Sequence, residues 1–235
     1  MEAIILAGGF GTRLRPAVND LPKSMASING RPFLEFLLDR LIQYKIKHVI
    51  LSVGFMHEHI MDHFKYGYKN IKISYAIEHE PLGTGGGIRM AMKHATSDDV
   101  LVLNGDTLFM LDLNAFSDFH FIRKSLFSLA LRQVESVSRY GSVMIDSEGL
   151  ITGFAEKNTS AGSGLINAGI YLISRKYFSD YSLPEVFSLE KDFIEKVYKA
   201  DQFYGFPGSD YFIDIGIPED YNRAQAEFRQ LFIGL

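Results

Sequence analysis

The sequence predicts an α/β fold, a Rossmann-like doubly wound mixed sheet with a strand-rich lobe laid against it. Three observations carry this expectation. Short apolar runs alternate with amphipathic stretches through about residue 110; the pattern turns strand-rich from about Ser128; and the first apolar run breaks into a glycine-rich loop, "AGGFGTR". Alternating β and α segments are the signature of parallel strands joined by right-handed crossovers.

The elements follow in order. Buried strands are predicted over Ala3–Leu6, Val49–Val53, Ile71–Tyr75, Val100–Leu103, Ser128–Leu131 and Ala168–Ile173, each a short apolar run. Pro32 to Tyr44 sets Phe33, Leu34, Leu37, Leu38, Leu41 and Ile42 at spacings of three and four, an apolar stripe behind a proline suited to a first helical turn. His57–Phe64 and Gly87–His94 read as further helices. After segments such as "RYGSVMIDSEGLITGFAEK", helical character returns at Leu189–Ala200 and Asp220–Leu231. With no internal repeat, low-complexity tract or linker, residues 1–235 read as one domain. Residues 1–127 form mainly a doubly wound first lobe and 128–235 mainly a strand-rich second lobe, with no C-terminal β-helix domain expected.

Composition narrows the function classes. The 235 residues are 47% hydrophobic and carry a net charge of −4, which supports a sizeable core and argues against nucleic acid as a partner. With no cysteine, disulfides and thiolate metal sites are excluded. No signal peptide and no apolar run of about 18 residues is visible, so a cytoplasmic protein without a membrane partner is expected. A homo-oligomer is left open.

Ligands of an open parallel sheet sit beyond the carboxyl ends of its strands, where the first strand meets "AGGFGTR". Glycines let backbone N–H groups face an anion, Thr12 adds a hydroxyl, and Arg13 a planar cationic fork. Phosphate fits this chemistry. Gly9 and Gly11 begin a dinucleotide fingerprint, but Leu14 stands at its third glycine, and the loop does not match the Walker phosphate loop either. The bland alternative is a glycine turn with solvated arginines.

The motifs beyond the loop decide against that alternative. "LAGGFGTRLRP", "LPKSM" and "GRPFLEF" are followed by "EPLGTGGGI", "LNGD", "AEK" with "INAGIYLI", and "YFIDIGIPEDY". This ordered set resembles the sugar-1-phosphate nucleotidyltransferases, the nucleotide-diphospho-sugar pyrophosphorylases, across nearly the whole chain. The resemblance implies a GT-A-like fold and an enzyme that joins a nucleoside triphosphate to a sugar 1-phosphate with release of pyrophosphate. A nucleotide-sugar-binding regulatory protein is the non-enzyme alternative, and the presence of Arg13, Lys23, Asp106 and Asp214 speaks against it.

By resemblance, Arg13 stabilises the leaving pyrophosphate and Lys23 neutralises charge beside the α-phosphate. The nucleotide contacts carried over are Leu6, Ala7, Gly8, Gly9, Gly11, Thr12, Glu78, Pro81, Gly83, Thr84 and Asp106. Asp106 and Asp214 hold Mg²⁺, a hard ion that takes one or two carboxylates plus phosphate oxygens and water. Gly141, Glu156, Lys157 and Asn167 contact the sugar phosphate, with Lys157 on its phosphate and Glu156 as either a sugar ligand or an orienter of Lys157. The phosphate nucleophile is already ionised near neutral pH, so no general base is required and the seven histidines need no catalytic role.

In related enzymes the residue at the position of Glu78 often reads the base, and many carry Gln there. Guanine offers two adjacent donors, N1–H and the 2-amino group, whereas uracil and thymine offer one donor between two acceptors. A carboxylate only accepts, so it complements guanine, and bidentate pairing discriminates by roughly 1–3 kcal/mol. GTP is therefore the expected nucleotide, although Glu80 is two residues away and competes for the role. Among compact members, "EPLGTGGGI", "SGLINAGIYLIS" and "SLEKDF" resemble the guanylyltransferases that act on D-glycero-D-manno-heptose 1-phosphate for bacterial surface polysaccharides. Mannose-1-phosphate guanylyltransferases and compact uridylyltransferases acting on N-acetylmuramic acid 1-phosphate are the alternatives.

Overall fold

The apolar runs assemble into a ten-stranded mixed sheet. The computed structural model describes residues 1–9, 11, 14, 18, 21–137, 141–155 and 162–232. In chain order the first part comprises β1 (Glu2–Leu6), β2 (Ser27–Ile28), β3 (Arg31–Pro32), α1 (Phe33–Gln43), β4 (His48–Val53), α2 (His57–Phe64), β5 (Gly67–Tyr68), β6 (Ile71–Ile77), α3 (Gly83–Met92) and β7 (Asp99–Asn104). The remainder comprises β8 (Thr107–Phe109), α4 (Leu113–Ile122), β9 (Phe127–Val134), β10 (Ser142–Ile145), β11 (Ile151–Ala155), β12 (Gly164–Ser174), α5 (Arg175–Asp180), α6 (Glu195–Val197), β13 (Tyr204–Gly208), β14 (Phe212–Asp214) and α7 (Pro218–Leu231).

Strands β1, β4, β6 and β7 are parallel neighbours in the order β7-β1-β4-β6, as the alternating sequence predicts. Their carboxyl ends lie on one edge: Leu6 pairs with Ser52 and with Asn104, and Val53 with Ile77. On the far side of β7 the sheet turns antiparallel through β12, which also pairs with β9 and β10. The sheet is doubly wound because alternate residues of each strand enter different cores. Ala3 and Ile5 join Phe33, Leu37 and Phe228 on the α1 and α7 face, whereas Ile4 joins Ile88, Ala91 and Phe193 on the α3 face.

Two predicted helices differ clearly from expectation, and α4 has no counterpart among the predicted elements. Helix α3 begins at Gly83, four residues before the predicted start at Gly87, because its glycines are poor intrinsic helix formers and tertiary packing supplies the order. The segment predicted as a helix over Leu189–Ala200 is π-helical over Leu189–Ile194 before the single turn of α6. No described helix is long and apolar enough to cross a membrane.

Candidate active site

The carboxyl edge of the parallel strands is tied together before any ligand is considered. Ala7 donates from its N–H to Ser52 O (2.7 Å), Glu78 N–H to Val53 O (2.7 Å), and Gly105 N–H to Leu6 O (2.9 Å). Only a glycine fits at position 105, where a Cβ would lie 2.4 Å from Leu6 O. Two adjoining cavities open along this edge. The larger, about 480 Å³, is lined by Leu6, Gly8, Gly9, Glu78, Pro81, Gly83 and Thr84, together with Gly54, Phe55, His57, His79 and Glu80. The smaller, about 180 Å³, is lined by Leu6, Ala7, Gly9, Lys23, Ser24, Thr84, Asn104, Gly105 and Asp106. Leu6, Gly9 and Thr84 border both, so the two cavities meet at the glycine loop.

The smaller cavity holds the charged centre. Lys23 follows Pro22 in a short 3-10 turn, and its ammonium hydrogen-bonds Asp106 and lies 3.7 Å from Asp214 Oδ1. A two-stranded sheet brings the aspartates together: β14 runs antiparallel to β8 and sets Asp214 opposite Thr107, while Ile215 N–H donates to Asp106 O. Asp214 Oδ1 also accepts from Gly216 N–H (2.7 Å). Helix α7, the next element after Asp214, clips the β2–β3 hairpin that follows Lys23. Tyr221 and Gln225 both donate to Ser27 O, and Arg229 to Asn29. Gly11, at φ +57°, crosses over Lys23, whose Cβ would meet a Cβ there at 3.0 Å.

Among the described residues no three His, Cys, Asp or Glu side chains cluster as a self-sufficient metal site. The pair of carboxylates fits a hard divalent cation that draws its other ligands from phosphate and water.

In the larger cavity Glu78 is anchored while Glu80 is exposed. Ser52 Oγ donates to Glu78 Oε1 (2.8 Å) and Leu82 N–H to Glu78 Oε2 (3.2 Å). The glycines of "GTGGGI" have a different task from the one their sequence suggests. A Cβ on Gly83 would lie 2.5 Å from Phe187 O, on Gly85 2.1 Å from the Phe187 ring, and on Gly86 2.5 Å from Glu185 O. They accommodate a strap, residues 183–188, that lies on α3. The strap also caps the helix: Phe187 O accepts from Gly85 N–H (3.1 Å) and Gly86 N–H (3.4 Å), while Arg89 donates to Leu183 O and Pro184 O. First-turn N–H groups that a phosphate would otherwise use are thus satisfied by protein.

Beyond the strap, Glu190 gathers three donors: Thr84 Oγ1 (2.8 Å), Ser188 Oγ (3.0 Å) and Tyr171 OH (3.2 Å). The fully buried Tyr171 hydroxyl accepts from Asn167 Nδ2 (2.8 Å). Burial pushes the Tyr171 hydroxyl well up, and the Glu190 charge adds to this, so it remains a donor. Asn167 and Gly141 border neither cavity. Gly141 directly precedes β10, whose Ser142 pairs with Ile166 beside Asn167. Thr12, Arg13, Glu156 and Lys157 lie outside the described residues.

Sequence reasoning missed Phe55 and His57, which border the larger cavity after β4. Only the rule that strand ends collect ligands could have pointed to them. It also missed Ser24 and Asn104, whose buried Ser24 Oγ and Asn104 Oδ1 have no partner among the described residues and sit at the smaller cavity. Glu190 and Tyr171 lie within quoted motifs, "SLEKDF" and "INAGIYLI", but were not singled out as site residues.

The arrangement can place a nucleoside in the larger cavity and its phosphates in the smaller, beside a cation and two carboxylates. A family model described as nucleotidyl transferase matches residues 2–230. A D-glycero-α-D-manno-heptose 1-phosphate guanylyltransferase of Aneurinibacillus thermoaerophilus is 45% identical over 97% of this chain and 99% of its own length. The protein of that name from Campylobacter jejuni is 46% identical over 94% of this chain and 97% of its own. The crystal structure of HddC from Yersinia pseudotuberculosis superposes with a TM-score of 0.86 at 39% identity, over 97% of this chain and 99% of that one, and the same match is found for HddC complexed with GMP-PN. The matched span takes in both the strand-end loops and the late aspartate, and on that ground the chain belongs to the nucleotidyl transferase family.

Proposed function

We propose that this protein transfers a guanylyl group from GTP to a heptose 1-phosphate, with the D-glycero-α-D-manno isomer named for its relatives as the acceptor. The observation that carries the base assignment is the anchored Glu78 carboxylate at the larger cavity. Being an acceptor only, it matches the N1–H and 2-amino donors of guanine and opposes the carbonyl oxygens of a pyrimidine.

An oxygen of the sugar phosphate attacks the α-phosphorus of GTP; the new O–P bond forms as the bond to the β-phosphate oxygen breaks, and pyrophosphate leaves. Both reactants are anionic, so positioning and charge stabilisation supply the catalysis. Gly8, Gly9 and Gly11 shape the loop around the nucleotide, Lys23 meets charge at the α-phosphate, and Arg13 meets it on the leaving group. Gly141, Glu156, Lys157 and Asn167 receive the sugar phosphate, which places the acceptor on the strand-rich lobe. Asp106 and Asp214 would hold Mg²⁺, which when bound screens the phosphate oxygens. The reaction draws on nucleoside triphosphates, which places the enzyme in the cytoplasm.

The test is pyrophosphate release with ATP, CTP, GTP, TTP and UTP against a panel of sugar 1-phosphates. Release is expected with GTP and the heptose 1-phosphate. No release with GTP and any heptose or mannose 1-phosphate rejects the proposal.

A further inference from the structure

We propose that Ser52 is a positioning residue that sets base selectivity by fixing the plane of the Glu78 carboxylate. The inference rests on the reading of Glu78 as the guanine acceptor and adds the residue that makes that acceptor selective.

Ser52 is fully buried near the end of β4. A hydroxyl enclosed by strands must find a partner, since an unpaired buried polar group is unfavourable. The partner is Glu78 Oε1, 2.8 Å away. From the same residue the backbone carbonyl accepts Ala7 N–H, which holds the glycine loop beside the Glu78 carboxylate. One strand residue therefore holds both the loop and the acceptor.

The carboxylate has little room to choose another position. A Cβ on Gly87 would lie 2.7 Å from Glu78 Oε1 and 3.0 Å from Ser52 Oγ, and one on Gly8 3.2 Å from Oε1. These glycines let the carboxylate slide between the first loop and α3, but they do not set its rotation. The terminal torsion of a glutamate is broad, so translation is confined by packing whereas the plane of the two oxygens is not. Donors on each oxygen fix that plane: Ser52 on Oε1 and Leu82 N–H on Oε2. Guanine presents N1–H and its 2-amino group side by side, and both are met only when the two oxygens are coplanar with the base. Leu82 N–H is a backbone donor that survives side-chain replacement. Ser52 is the removable half of the clamp.

Inosine triphosphate isolates the effect because hypoxanthine keeps N1–H and lacks the 2-amino group. Wild-type protein is expected to favour GTP over ITP in kcat/KM by about tenfold or more, the scale of one well-placed hydrogen-bonded pair. In Ser52→Ala that ratio should fall to within about threefold, with the fold-rise in KM for GTP larger than the fold-fall in kcat. A general packing defect would lower both nucleotides alike and leave the ratio unchanged. If Ser52→Ala does not fold, Ser52→Cys, nearly isosteric with a weak donor, is read the same way. A GTP-to-ITP ratio in the variant equal to that of wild type overturns the role of Ser52 while the reading of Glu78 stands. A wild-type protein that does not distinguish GTP from ITP overturns the Glu78 reading and this inference with it.

Discussion

The ammonium of Lys23 is hydrogen-bonded to Asp106 and lies 3.7 Å from Asp214 Oδ1, which β14 sets opposite the neighbouring Thr107. A lysine placed there acts as a counter-ion to the very oxygens that a divalent cation would use. Replacing Lys23 by Met should lower turnover about 100-fold or more, as loss of a charge-stabilising donor does elsewhere. It should also tighten Mn²⁺ binding to the nucleotide-free protein, read by electron paramagnetic resonance titration. Unchanged or weaker Mn²⁺ binding would contradict competition between the two cations.

Asp106→Asn keeps the shape of the side chain but halves the carboxylate pair. Mg²⁺-dependent turnover should be abolished while the circular dichroism spectrum stays native. Retained activity would remove Asp106 from the proposed ion site.

Glycines in a helix interior usually lose to alanine by up to about 1 kcal/mol, so Gly86→Ala would be stabilising on propensity alone. Here the added Cβ lies 2.5 Å from Glu185 O and 2.8 Å from the Leu82 side chain. Overpacking of this kind costs about 1–3 kcal/mol, which outweighs the propensity gain. A net fall in Tm of a few degrees is expected in a thermal scan. A rise in Tm would mean that the strap yields freely.

Tyr171→Phe removes the buried hydroxyl between the half-buried Asn167 and Glu190 and leaves each a partner short. A loss of about 1–3 kcal/mol in stability is expected. Because Asn167 loses its anchor, KM for the sugar phosphate should rise more than KM for the nucleotide. Equal changes in the two would indicate a packing effect alone.

Glu2 and His120 are among the described groups that make stability depend on acid. Burial pushes the Glu2 carboxyl up, but hydrogen bonds from His48 and from the N–H groups of Ser97 and Thr96 outweigh this and hold it at about 2. With its folded value depressed, Glu2 stabilises the fold fully above its ordinary value of 4.5, and the contribution, on the order of 2 kcal/mol, is lost as pH falls toward 2. His120 is almost fully buried and hydrogen-bonded to Ser128; burial pushes its pKa down, against the pull of Asp99. Its neutral form favours folding, so that contribution is present above the ordinary value of 6.5 and declines as pH falls through the depressed one. Denaturant titrations of Glu2→Gln and wild type should differ at pH 7 and converge near pH 2. A constant difference across that range would show that the Glu2 charge is not the source.

The parallel half of the fold was legible because buried strands and the α1 stripe are carried by local periodicity, and the strand-end loops follow from it. Lys23, Asp106 and Asp214 were legible only as motifs. What joins them, the short β8–β14 pairing, is too brief to leave a periodic trace. The glycines of α3 were legible as glycines and misleading as to cause, since their reason is the backbone of Phe187 and Glu185, distant in sequence. Thr84 was legible as a nucleotide contact and Glu190 and Tyr171 stand in quoted motifs, but the hydrogen bonds that join the three were not legible, because each alone is an ordinary polar residue. Nothing but the tertiary fold aligns them.

The β8–β14 pairing also bears on how the protein is made. A chain that emerges amino-terminus first can form β1, β4 and β6 early, and it completes the parallel edge when β7 arrives. The carboxylate pair waits until β14 has been synthesised, and the α7 clip on the β2–β3 hairpin comes later still. A nascent chain therefore has the hydrophobic scaffold of a nucleotide cavity well before it has Asp214, and until then Lys23 is answered by Asp106 alone.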